Sequence, residues 1–252
     1  MQIRVFRTDD LLAEAAADVI ADVIKNKPGA VLGLATGVSP VKTYARLIEK
    51  YRQGEISFRD VTTFNLDEYI GLEPADPNSY HRFMKENLFD SIDIDPACTH
   101  VPDGCAADPE GYGKLYDSMI DGAGGIDLQL LGIGVNGHIG FNEPTDSFTG
   151  GTHVTALAAS TIAANSKYFG DESLMPRTAI TMGIGSIMKA RSVLLIATGE
   201  SKARAISMTV GGEVTPRFPA SALQRHPDAK IFLDEAAASL LDAECGIRNA
   251  KS

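Results

Sequence analysis

Apolar residues in this chain fall into short continuous runs, separated by stretches in which they recur every three or four positions. That is the mark of strands buried on both faces alternating with amphipathic helices. Residues 3–6 read as the first strand. Asp9 or Asp10 then caps a helix with apolar positions at Leu12, Ala16, Val19 and Val23, which Pro28 and Gly29 end. Residues 30–35 form a second apolar run, followed by T-G-V-S-P and a helix in which Pro40 suits the first turn and Tyr44, Leu47 and Ile48 share a face. The unit recurs, with strands expected at 61–66, 126–131 and 179–182, at 193–198 ahead of a helix over 201–210, and at 229–233 ahead of a last helix. Such alternation predicts a mostly parallel, Rossmann-like sheet with helices on both faces, in a single-domain three-layer α/β/α fold. No repeat, low-complexity tract or long Pro/Ser linker divides residues 1–252, so one domain is expected.

Composition narrows the function classes. With 23 Lys+Arg against 33 Asp+Glu, the net charge of −10 repels nucleic acid and anionic membranes, so any phosphate must be held by local groups. A content of 44% hydrophobic and 22% charged residues excludes disordered and fibrous classes. Cys98, Cys105 and Cys245 are odd in number and lack paired spacing, which argues against a disulfide framework or a Cys-rich metal centre and for a reducing compartment. The N-terminus MQIRVFRTDDLLAEAA lacks the pattern of a signal peptide, and the longest apolar runs, such as 193–197, fall well short of the roughly 20 residues of a membrane span. The expectation is a soluble cytoplasmic protein that binds a small molecule, with both monomer and homo-oligomer left open.

In parallel α/β sheets, function concentrates in the loops after the carboxyl ends of strands. Four such segments carry chemistry here. In Thr36-Gly37-Val38-Ser39-Pro40 a strand ends and a helix begins, leaving backbone N–H groups and two hydroxyls for an anion, or else Ser39 simply caps the helix. Gly199-Glu200-Ser201-Lys202 repeats the junction and adds a lysine, which serves either a phosphate or solvent. The strand VTTFNL runs into Asp67, Glu68 and Tyr69. A carboxylate there suits a general base, and at this level either Asp67 or Glu68 can be the inward one, the alternative being Asp67 capping a turn and Glu68 facing solvent. Finally, Gly132-Ile133-Gly134-Val135-Asn136-Gly137 contains a literal G-x-G-x-x-G, but Asn142-Glu143-Pro144 follows where a dinucleotide site would open a helix. These glycines instead let backbone approach a small ligand and bring His138 and Glu143, a proton carrier and an orienting carboxylate, onto one loop. The other histidines, His81, His100, His153 and His226, lack metal-pair spacing and read as surface or packing residues, while Lys167 is a candidate for a second phosphate contact.

LGLATGVSP, FNLDEYIGL, NSYHRFM and LLGIGVNGHIGFNEP, in this order, resemble the glucosamine-6-phosphate deaminase family, over residues 31–233. The resemblance implies conversion of glucosamine 6-phosphate to fructose 6-phosphate and ammonium in amino-sugar catabolism, through an enolamine, without metal or organic cofactor. It implies that Asp67 carries a proton from C2 to C1 in surroundings shaped by Glu68 and Tyr69. His138, oriented by Glu143, would open the sugar ring. Thr36, Gly37, Val38, Ser39, Gly137, Lys202 and Lys167 would hold substrate and phosphate, and a lid is expected around 153–182. Galactosamine 6-phosphate, 6-phosphogluconolactone hydrolysis on the same scaffold and a silent sugar-phosphate sensor are the competing readings.

Three departures from the family pattern stand out. Asn136 replaces an aspartate that the long allosteric members place before Gly-His, which reduces a carboxylate-His-carboxylate relay to His138 and Glu143 while keeping Asn136 in the catalytic set. Val38 replaces a glycine frequent in the phosphate loop, and is expected to narrow it or weaken a contact. His153 and Thr155 stand where allosteric members carry the Arg and Lys of an effector site, and the C-terminal extension is expected to be truncated. No activation by N-acetylglucosamine 6-phosphate is therefore expected.

Overall fold

The computed structural model describes residues 1–241 and the strand Arg248–Asn249, the latter and Glu172 by backbone alone; Cys245 lies outside the described residues. The strands are β1 (Gln2–Phe6), β2 (Val31–Leu34), β3 (Thr62–Asn65), β4 (Asp67–Tyr69), β5 (Thr99–His100), β6 (Leu128–Leu131), β7 (His153–Ala156), β8 (Thr178–Thr181), β9 (Ser192–Ala197), β10 (Ala229–Asp234) and β11 (Arg248–Asn249). The α-helices are α1 (Asp9–Asn26), α2 (Val41–Arg52), α3 (Tyr80–Asn87), α4 (Pro109–Gly122), α5 (Ala159–Asn165), α6 (Ile184–Met188) and α7 (Ala203–Gly211). Eight strands form one sheet in the order β11-β1-β10-β9-β6-β2-β3-β5, with every pairing parallel.

The period of two along each strand divides the core. Leu194 and Ile196 of β9, with Leu32 and Leu34 of β2, face Leu12, Ile20 and Ile24 of α1, Leu47 of α2 and Met84 of α3. Val193 and Leu195, with Val31 and Leu131, face Tyr116 of α4, Ile187 of α6 and Ile206 of α7. The three expected layers are therefore present. Within α1 the buried stripe runs through Ile20 and Ile24 rather than Val19 and Val23, which are half-buried. Its cap is Thr8, whose side chain accepts from the N–H of Leu11, so Asp9 and Asp10 fall in the first turn, where they favour the helix dipole without capping it.

Two expectations are corrected. The apolar run at 179–182 lies in a second sheet, β4-β8-β7, paired antiparallel, and not in the parallel one. An apolar run does not specify its partner, and here Ala179, Tyr69, Phe141 and Phe169 build a separate small core. The helix expected after β10 is, over 235–240, a series of turns started by Asp234, whose carboxylate takes the N–H of Ala237. Leu66 joins the two sheets: its N–H bonds to the carbonyl of Leu34 and its carbonyl accepts from the N–H of Met182.

At the end of the sheet where β2 and β6 begin, Asp127 is 8% exposed and accepts from the N–H of Val31, from Lys27 Nζ at 2.8 Å and from Arg191 Nη1 at 2.9 Å. The two cations are partly in water, so the buried N–H is what suffers if the carboxylate goes. Asp127→Ala should lower stability by about 1–3 kcal/mol. Urea denaturation checks this, with an unchanged midpoint as the contrary result.

Candidate active site

The connections after β2 and β6, neighbours in the sheet, depart to opposite faces, α2 to the side of α1 and α6 to the other. The crevice at such a switch point is where open α/β sheets bind ligands. A cavity of about 650 Å³ opens there, a size suited to a small polar metabolite. Its walls come from the ends of β2, β3, β6 and β9, and from α5.

On one wall stands Asp67. Because β4 alternates its side chains, Asp67 faces the cavity and Glu68 the opposite way. Glu68 is fully buried and accepts from the N–H groups of Tyr69, Tyr80 and His81, and lies 3.1 Å from His81 Nδ1. Two of those donors open α3, so the carboxylate sits on the positive end of a helix. Asp67, 6% exposed, has no hydrogen-bond or ion-pair partner among the described residues. Burial, with the Glu68 charge beside it, pushes its carboxyl up to about 8. A solvent-facing Glu68 and a turn-capping Asp67 are thereby ruled out. Behind Asp67 the hydroxyl of Tyr80 lies 3.3 Å from that of Tyr69, which also accepts from Asn165 Nδ2 at 3.2 Å.

Across the cavity, residues 132–143 form no helix, as Pro144 led one to expect. The ring of His138 packs against Gly134 so closely that a Cβ there would sit 2.3 Å from the ring, so glycine is required. His138 Nδ1 lies 3.4 Å from Glu143 Oε2 and 3.5 Å from Thr161 Oγ1. Glu143 does not line the cavity; it stands behind the histidine, accepting from Asn136 Nδ2 at 2.7 Å, from the N–H of Ala158 at 3.3 Å and from the hydroxyl of Thr161. Burial alone would raise Glu143, but the hydrogen bond and charge of His138, with the bonds from Thr161 and Asn136, pull it down to about 2. Asn136 also accepts from the N–H of His138 at 3.2 Å, so its amide donates to the carboxylate while fixing the loop. An aspartate there would offer Glu143 an acceptor and a like charge instead.

The third wall presents hydroxyl, backbone and ammonium donors from the ends of β2 and β9. Gly37, at φ 88°, turns the chain out of β2 towards α2. Ser39 does not cap that helix, and among the described residues its hydroxyl meets no protein partner. Val38 lies at the rim of the cavity, 72% exposed. Lys202 reaches the cavity half-buried; burial lowers it below the usual lysine range, and its Nζ donates to the carbonyl of Ile133 at 2.7 Å, leaving two donors free. Asp234 steadies this turn by accepting from the N–H of Gly199 at 2.9 Å.

Thr36, Gly37, Val38, Ser39, Asp67, Asn136, His138 and Lys202 thus line one cavity, with Glu143 behind them. Gly137 and Lys167 do not. Gly137 lies against the ring of Phe218, and Lys167 is exposed, its ammonium 5.0 Å from the ring of Tyr168. Sequence reasoning missed Tyr80, Thr161, Asn165 and the burial partner His81. Tyr80 lies within NSYHRFM, one of the motifs that carry the resemblance, but was given no role, and Thr161 and Asn165 sit in an Ala-rich stretch without any signal. Among the described residues, no three His, Cys, Asp or Glu side chains converge to hold a metal ion.

Residues 7–232 match the family model described as glucosamine-6-phosphate isomerases/6-phosphogluconolactonase. The chain belongs to this family. Within it, a glucosamine-6-phosphate deaminase of Thermoanaerobacter pseudethanolicus is 51% identical over 92% of both chains, and one of Shewanella loihica is 52% identical over 96% of this chain and 90% of its own. A solved structure described as a monomeric glucosamine-6-phosphate deaminase superposes with a TM-score of 0.93 at 45% identity, covering 95% of this chain and all of that one. The 6-phosphogluconolactonase of Trypanosoma cruzi, at 19% identity and a TM-score of 0.77, shares the fold.

The Asp67 carboxyl, raised from 3.8 to about 8, is protonated in the folded protein and ionised in the unfolded chain between those values. Its contribution to stability is therefore present below about pH 4 and lost progressively as pH rises to about 8. Asp67→Asn should be more stable than the parent by at least about 2 kcal/mol at pH 9, with the gap closing towards pH 4. Thermal denaturation of both proteins against pH checks this; a gap independent of pH is the contrary outcome.

Proposed function

We propose that this chain is a glucosamine-6-phosphate deaminase of amino-sugar catabolism, producing fructose 6-phosphate and ammonium. The observation that carries the reading is the Asp67 carboxylate, without a partner among the described residues, facing the same cavity as His138, which Glu143 backs, beside the Thr36–Ser39 turn and Lys202. Relatives of that name at about half identity support it.

The Thr36–Ser39 backbone, the Ser39 hydroxyl and Lys202 hold the phosphate. His138, kept in orientation by Glu143 and Asn136, moves a proton from the C1 hydroxyl to the ring oxygen, and the C1–O5 bond breaks to give the open aldehyde. Asp67 then removes the C2 proton while a proton passes from the C2 ammonium to the former aldehyde oxygen, leaving a neutral enolamine. Returned to C1, that proton gives an iminium at C2; water adds there and ammonia leaves. Ring opening, the shift from C2 to C1 and the exchange of ammonia for water are all driven by proton transfers, which need a base near C2 and an acid/base near the ring oxygen. A lactone hydrolase would offer Asp67 no proton to abstract.

Residues 153–182 are read as a lid. Thr161 and Asn165 already line the cavity, and closure would bring Lys167, two positions further on, towards the phosphate. A cytoplasmic setting fits the free thiols of Cys98 and Cys105, and no described helix is long and apolar enough to cross a membrane.

Purified protein with glucosamine 6-phosphate should release ammonium and fructose 6-phosphate in equal amounts, and Asp67→Asn should lose about 10²–10⁴-fold in kcat. Release of neither product by the parent protein would remove the reading. Since Asp67 works ionised, kcat/KM should climb about tenfold per pH unit on approaching about 8 and level off above it. His153 and Thr155 sit on the edge strand β7 without the cationic pair of an effector site. N-acetylglucosamine 6-phosphate should accordingly leave hyperbolic kinetics unchanged, and an initial-rate titration with it tests this.

A further inference from the structure

One helix touches both halves of the chemistry. On α5, Thr161 and Asn165 are one turn apart and share the face that lines the cavity. Thr161 is 3% exposed, and its hydroxyl donates to Glu143 Oε1 while lying 3.5 Å from His138 Nδ1. Asn165 donates at 3.2 Å to the Tyr69 hydroxyl, which the Tyr80 hydroxyl also meets at 3.3 Å. Tyr69 shares strand β4 and its face with Asp67, and Tyr80 lines the cavity next to it.

Building on the deaminase reading, we propose that Thr161 and Asn165 are positioning residues with separate tasks, Thr161 for ring opening through Glu143 and His138, and Asn165 for C2 proton transfer through Tyr69 and Tyr80. The physical case for Thr161 rests on valence. Glu143 Oε2 is occupied by Asn136 and the histidine, so Oε1 must be held as well if the carboxylate is not to rotate away from the ring. The N–H of Ala158 at 3.3 Å is a long second contact, which leaves the Thr161 hydroxyl as the principal one. Asn165 works at greater distance. Without its amide, the Tyr69 hydroxyl loses its one donor from α5, and its position beside Asp67 is left to the Tyr80 hydroxyl and to ring contacts with Tyr80, Phe141 and Phe169, which fix the ring plane but not the hydroxyl's direction. Neither residue touches the reacting atoms through a group that titrates, so neither is itself a proton carrier.

The two tasks separate in a deuterium isotope effect, because only the second breaks the C2–H bond. Thr161→Val, Thr161→Ser and Asn165→Leu are compared with the parent enzyme for kcat and for the isotope effect on kcat/KM with glucosamine 6-phosphate deuterated at C2. Thr161→Val and Asn165→Leu should each lower kcat about tenfold or more, and Thr161→Ser should keep most of the parent rate. The isotope effect should be smaller in Thr161→Val, where ring opening limits, than in Asn165→Leu, where C2–H cleavage limits. Equal isotope effects in the two variants, parent-like rates in both, or Thr161→Ser as slow as Thr161→Val would overturn the assignment. A parent enzyme that releases no ammonium would instead defeat the underlying reading, and is recognised before any variant is compared.

Discussion

The buried carboxylate of Glu68 is the constraint on which the site turns. It is wholly removed from water and offsets that cost by accepting from the N–H groups of Tyr69, Tyr80 and His81, with the His81 ring alongside. Those bonds lock β4 to the start of α3 and fix which way the strand faces. Given the period of two, Asp67 has no choice but to enter the cavity. There it has no partner among the described residues, its proton held more tightly by burial and by the very charge that anchors the strand. A satisfied carboxylate thus maintains an unsatisfied one, which is the local conflict expected of a reactive group.

The opposite wall follows another logic. His138 is oriented by a carboxylate that three donors keep ionised, and Asn136 is one of them. Asn136 gives Glu143 a hydrogen-bond donor where an aspartate would have placed a like charge. The two carboxyl groups are shifted in opposite directions, Asp67 upward by burial and the Glu68 charge and Glu143 downward by the groups that hydrogen-bond to it.

Both walls depend on the meeting of two sheets at Leu66. The parallel sheet places the ends of β2, β6 and β9 around the crevice, while the small antiparallel sheet brings β4 and the α5 segment over it. The Thr36–Ser39 turn and Lys202 follow strands of the first sheet, while Asp67 and Tyr69 lie on a strand of the second. A sugar phosphate lying across the crevice would span them.

Much of this was legible in the sequence because it rests on local pattern. Apolar runs and helical spacing suffice for a layered parallel fold, since each strand must bury both faces and each helix one. The loops after β2, β3, β6 and β9 announce themselves through small residues, adjacent carboxylates and a histidine among glycines. What sequence left open was decided by pairing. Whether Asp67 or Glu68 points inward depends on the register of β4 with β8, and that 179–182 leaves the main sheet depends on which partner its edge finds. Thr161 and Asn165 reach the site only because α5 is laid across it, in a stretch whose residue types carry no signal. Local propensity determines which elements form; side-chain direction and long-range contact, which make a site from them, exist only once the chain has closed on itself.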